Sequence, residues 1–155
     1  MAAPTMSHLI CSMGLIALIF VLPFFYSIVV DNVETDMIIR ELQEITDYTS
    51  NTVENLYFLA NSTNRGNVSL EKELVYLPSH VEESIYVLNI VGDENNTALH
   101  LEAYLKNNPS VSVNSWLLPN IELGEENVVI ESSGRTVVVC CRRNESGVYV
   151  WLKYG

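Results

Sequence analysis

Hydrophobic and polar positions follow three different patterns along this chain, and each pattern predicts a different element. From Leu9 to Val30 (LICSMGLIALIFVLPFFYSIVV) there is no period, because 22 consecutive residues carry no charge. A helix of that length measures about 33 Å, enough to cross the roughly 30 Å hydrocarbon layer of a bilayer. Burying it instead inside a protein of 155 residues would use up most of one small core. Pro23 removes one intrahelical hydrogen bond, a loss that membrane helices tolerate. Phe24, Phe25 and Tyr26 follow it, where an interfacial aromatic girdle would lie.

After Asp31 the period becomes helical. Ile38, Leu42, Ile45, Thr49, Thr52, Leu56 and Leu59 recur at alternating steps of four and three and form one seam, while Glu34, Asp36, Arg40, Glu41, Glu44, Asp47 and Glu54 keep the other face wet. Residues 31–60 are therefore expected to continue the first helix as an amphipathic stem. The turn-forming residues 61–67 (NSTNRGN) end it as a linker. The lower half of the seam, near Thr49 to Leu59, is expected to pack on the chain's own distal domain. The upper half (Ile38, Leu42, Ile45) is expected to contact another subunit.

From residue 68 onward the period falls to two. Ser69–Leu77, Ser84–Val91, Thr97–Lys106, Val111–Leu118, Asn127–Glu131, Thr136–Arg142 and Val148–Tyr154 read as strands. Within Thr97–Lys106, Leu99, Leu101, Ala103 and Leu105 face one way and His100, Glu102 and Tyr104 the other, the signature of a half-buried antiparallel strand. Ser132–Arg135 and Arg143–Gly147 are expected to close two hairpins. The fold class is thus a long N-terminal helix, transmembrane and then amphipathic, followed by a small antiparallel all-β domain, sandwich-like, over 68–155.

Charge separates the two parts further. The chain carries 19 acidic against 8 basic residues, a net charge of −11, and that excess repels nucleic acid and anionic membrane surfaces as partners. The tail 1–8 has no Lys or Arg, and the residues around Ser27 make a poor signal-peptidase site, so an uncleaved anchor is expected. N-x-S/T acceptor sites stand at Asn61, Asn67, Asn95 and Asn144, which places the domain outside the cytoplasm.

Candidate chemistry is sparse. His8, His80 and His100 cannot meet in one domain if His8 lies across the membrane from the others. Asp93, Glu94, Asn95 and Asn96 are rich in oxygen but lack the ligand spacing of a calcium loop. No phosphate-binding or nucleophile motif occurs, and the expectation is a protein that is not an enzyme and uses no cofactor or metal. Cys11 lies in the apolar run. Cys140 and Cys141, adjacent on a strand, point to opposite faces; one of them cross-links subunits, or both stay buried as thiols.

This architecture resembles the archaeal type IV pilin and archaellin superfamily: Leu9–Val30 as the core helix, residues 31–60 as its stem and residues 68–155 as its head. The resemblance is one of architecture, since Pro4 to His8 show no basic processing site. It implies a structural subunit of a surface filament or membrane-anchored assembly that self-associates through its N-terminal helix, in contact with lipid. Gly14 and Ala17, small residues that let a second helix approach, and Ile38, Leu42 and Ile45 are the expected assembly contacts. The alternative is a single-pass tether whose β domain holds a surface-layer or other protein partner. Either places the protein at the cell membrane or on the cell surface.

Overall fold

The structure is a computed structural model that describes residues 3–63, 66–92 and 98–155, with the backbone alone for residues 3–7. Among the described residues one helix, α1 (Ala3–Ser62), precedes eight strands: β1 (Val68–Glu73), β2 (Tyr86–Gly92), β3 (Leu99–Leu105), β4 (Ser112–Trp116), β5 (Ile121–Leu123), β6 (Ile130–Glu131), β7 (Val137–Arg143) and β8 (Val148–Tyr154). The chain divides into two compact units, Met1–Met37 and Ile38–Gly155. In the first, every side chain from His8 to Met37 is exposed.

The second unit is a head with one hydrophobic core. Its strands form two four-stranded sheets, ordered β1-β7-β8-β5 and β4-β3-β2-β6. All pairs are antiparallel except β5 with β8, where Ile121, Glu122 and Leu123 run parallel to Val148, Tyr149 and Val150. The expected all-antiparallel sheet is corrected at that one strand. The β7–β8 hairpin forms as its alternation predicts, with Val139 opposite Leu152 and Cys141 opposite Val150 on the core side. In β3, Leu99, Leu101, Ala103 and Leu105 are buried while His100, Glu102 and Tyr104 are half-buried.

The second expected hairpin does not form. β6 pairs with β2, through Val87–Glu131 and Leu88–Ile130, and β7 lies in the other sheet. The turn at Ser132–Arg135, with Gly134 at φ 73°, therefore passes from one sheet to the other. A turn signal fixes a reversal of the chain and not the strand that the returning segment joins. Here Ile130, almost fully buried, takes its place in the core beside Leu88.

Asn127 binds the sheets together ahead of that turn. Its Oδ1 accepts from Leu152 N at 3.0 Å on β8, while its Nδ2 donates to Asn89 Oδ1 at 3.2 Å and Ile90 O at 3.3 Å on β2. Val128 N adds a bond to Leu152 O at 3.0 Å, and Tyr86 N donates to Ser132 Oγ at 2.9 Å. One short segment, with Asn127 half-buried in it, thus satisfies backbone groups along both sheets.

Ile38–Ser62 of α1 completes the head. Leu42, Ile45, Val53, Leu56 and Ala60 belong to the same core as the strands, with Ile38 packed against it. Thr46 and Thr49 are buried beside them, and each hydroxyl donates back to the carbonyl four residues earlier, Leu42 at 2.7 Å and Ile45 at 2.9 Å. These bonds let the threonines occupy a hydrophobic face without leaving an unpaired group. The seam steps 42, 45, 49, 53, 56, 60, and Leu59, expected on it, is exposed. A straight helix of 3.6 residues per turn drifts away from a strict alternation of four and three, so Ala60 replaces Leu59 at the last contact.

Candidate functional site

Two regions expose chemistry that the fold does not consume. The first is α1 before Ile38. Leu9 to Val30 stands entirely exposed, long and apolar enough to cross a membrane, with a mean hydropathy of 2.5 over its most apolar window. Beyond Val30 the apolar face continues: Tyr26, Val30, Val33 and Met37 follow steps of four, three and four, and Val33 and Met37 are each about half exposed (52% and 50%). Gly14 and Ala17 are exposed within the apolar run, and a Cβ added at Gly14 would meet nothing within 4 Å.

The other expected assembly contacts lie elsewhere. Leu42 is fully buried and Ile45 nearly so, both in the head's own core, and Ile38 is half-buried against it. Leu42 and Ile45 are unavailable to a second subunit, which corrects the expectation for those two positions of the upper seam. The physical reason is that the head starts higher on the helix than its strands alone indicate, because the loop after β1 returns alongside it; Tyr76 meets Tyr48 edge-on at 6.0 Å.

The second region is the outer face of the β1-β7-β8-β5 sheet. Alternation turns Cys140 and Arg142 of β7, and Tyr149, Trp151 and Lys153 of β8, away from the core. Parallel addition of β5 then brings Gly124, Glu125 and Glu126 beside Trp151, with Gly124 N bonded to Val150 O at 2.9 Å. Gly124 is required there, since a Cβ at that position would sit 2.7 Å from the indole. The result is a cleft of about 310 Å³ with Trp151 as its floor and Arg142, Tyr149, Asn144, Glu125 and Glu126 around it.

Its electrostatics are mixed. The Arg142 guanidinium lies over the Trp151 ring, 5.2 Å from the centroid, a cation–π contact. Among the described residues the side-chain ion pairs are Lys106–Glu131 and Lys153–Glu71, and Arg142 is in neither. Among the described residues, Trp151 Nε1 is buried without a hydrogen-bond partner. The Glu122 carboxylate beside Tyr149 holds its phenol proton and raises its pKa. Alternation along β8 puts Tyr149 and Trp151 on one face, but residue order does not disclose the cleft, because its second wall comes from the parallel strand β5.

The two cysteines of the head are shielded by placement. Cys140 and Cys141 are buried free thiols. Burial pushes Cys141 up to about 11, with a smaller contribution from Cys140, and burial also raises Cys140. Neither reaches the surface to cross-link subunits. Of the acceptor asparagines, Asn61 and Asn67 are exposed, Asn144 is half-buried in the β7–β8 turn, and Asn95 lies outside the described residues, as do Asp93, Glu94 and Asn96.

No protein-family model, curated protein or solved structure matches this chain.

Proposed function

We propose that this protein is a structural subunit of a membrane-anchored surface assembly or pilus-like filament, held in the bilayer or in a filament core by Leu9–Val30 and carrying its β head outside. The observation that supports this best is the apolar stripe that continues past the span to Val33 and Met37. A tether needs only the bilayer length. The stripe runs about 10 Å further, among Asp31, Glu34 and Asp36, where exposed apolar side chains favour contact with another helix. A second copy offers the same stripe and small residues at Gly14 and Ala17 for close approach.

The test is Met37→Glu, alone and with Val33→Glu, which leaves Leu9–Val30 and the head's core unchanged. Cross-linking in isolated membranes should yield multimers from the parent chain and markedly fewer from the variants. Equal multimers would remove the assembly reading in favour of the tether. Orientation is tested separately: protease applied to intact cells should remove the head, and protection until lysis would reverse the topology.

A further inference from the structure

We infer that the cleft over Trp151 is a binding site for a neutral saccharide ring. It stands apart from the assembly reading, since every residue that forms it lies in the head.

The charges around the cleft select the ligand class. Glu125 and Glu126 line it and are exposed, and Glu122 stands beside Tyr149, in a protein of net charge −11; an anion is repelled. A cation meets Arg142, which already occupies the indole face. A neutral polyol meets neither obstacle. Its hydroxyl groups donate to the Glu125 and Glu126 carboxylates and accept from the Arg142 guanidinium, whose N–H groups the aromatic ring holds in place without hydrogen-bonding them. Trp151, 4% exposed beneath Arg142, forms the closed floor, so the apolar face of a sugar ring meets the half-buried Tyr149 ring, and the volume, about 310 Å³, is at the lower end of small-ligand sites.

Asn144 gives the cleft a second possible source of sugar. Its Oδ1 accepts from Ser146 N at 2.9 Å and Gly147 N at 3.0 Å, which fixes the side chain at the rim with Nδ2 outside the turn. Asn144, Glu145 and Ser146 form an N-x-S acceptor site, so a sugar linked to Nδ2 would begin beside Arg142. That source rests on the exported head; a free or neighbouring saccharide does not.

The experiment uses the full chain made in a host that does not N-glycosylate, held in an amine-oxide detergent that carries no sugar. Trp116→Phe leaves Trp151 as the single tryptophan. Maltotriose, cellotriose and chitotriose are titrated while Trp151 emission is followed. At least one should give a saturable change, weakened by about tenfold or more in Arg142→Gln and in Glu126→Gln, two substitutions at surface side chains. No change with any of the three, or an unaltered titration in both variants, overturns the site. The same chain from an N-glycosylating host separates the sources. A glycopeptide at Asn144, with trisaccharide binding restored by Ser146→Ala, identifies the chain's own sugar as the occupant. A bare Asn144 with binding retained identifies an external one.

Discussion

Arg143 on β7 donates from Nη1 to the carbonyl oxygen of Ala60 at 3.0 Å, across 83 residues of sequence. The same nitrogen lies 3.1 Å from the carbonyls of Asn61 and Thr63, so one guanidinium serves the carbonyls at and just beyond the end of α1. Helix ends leave carbonyls unpaired and carry partial negative charge, and a cation there meets both needs. Arg143→Ala should destabilise the head by about 1–3 kcal/mol, read as a lower denaturant midpoint. Arg143→Lys should recover the charge term but not all three contacts. An alanine variant as stable as the parent would show that water satisfies this helix end equally well.

A buried and an exposed position of α1 should respond very differently to the same substitution. Leu42→Glu places a carboxylate at a fully buried position and should cost several kcal/mol, enough to unfold a head of ordinary stability. Met37→Glu, at a half-exposed position, should leave head stability within about 0.5 kcal/mol of the parent. Val139→Asp, also fully buried, should behave like Leu42→Glu. Limited proteolysis of the three variants reports the difference directly.

The turn at Val81–Ser84 carries avoidable strain. Val81 and Ser84 exchange both backbone hydrogen bonds, at 3.0 and 2.9 Å, around Glu82 (φ 42°) and Glu83 (φ 64°). A two-residue turn with both central φ positive favours Asn-Gly, and glutamate pays a steric cost there. Glu82→Asn with Glu83→Gly should raise stability by about 1 kcal/mol, seen as a higher midpoint for thermal unfolding. A lower midpoint would mean that the glutamates make compensating contacts.

Alkali should loosen the head. Cys141 is pushed up to about 11 and Tyr86 to about 12, both chiefly by burial. Each group keeps its proton in the folded state at a pH where the unfolded chain has begun to lose it. The folded state then binds more protons, so stability falls as pH rises. The contribution is intact below about pH 9, the ordinary thiol value, and is lost progressively as pH climbs through 11 for Cys141 and from 10 to 12 for Tyr86. Denaturant midpoints between pH 8 and 11.5 should decline, and Cys141→Ala should flatten the lower part of that decline. A pH-independent midpoint would place the thiol in contact with solvent.

Local pattern by itself determined a good deal of this protein. An uncharged run of 22 residues and a 3.6-residue period specify α1, because both depend only on neighbours along one helix. Alternation specified β3 and the β7–β8 hairpin, with Cys140 and Cys141 on opposite faces, because side chains on a strand reverse at every residue, but both faces of the hairpin are apolar and only the fold decided which of them meets the core. Pairing at a distance was decided only in three dimensions. Whether Ile130 joins β7 or β2, and whether β5 runs parallel to β8, depends on which apolar rows fit together in the core, and the turn between two strands carries no record of that. The two candidate sites divide in the same way. The apolar stripe on α1 is a property of one helix and is legible in residue order, whereas the Trp151 cleft needs Gly124–Glu126 and Arg142 brought together by separate strands. Leu42 shows the boundary most clearly: its helical face follows from spacing, but what covers that face is settled by the head, because apolar side chains bury against whichever surface the tertiary fold presents.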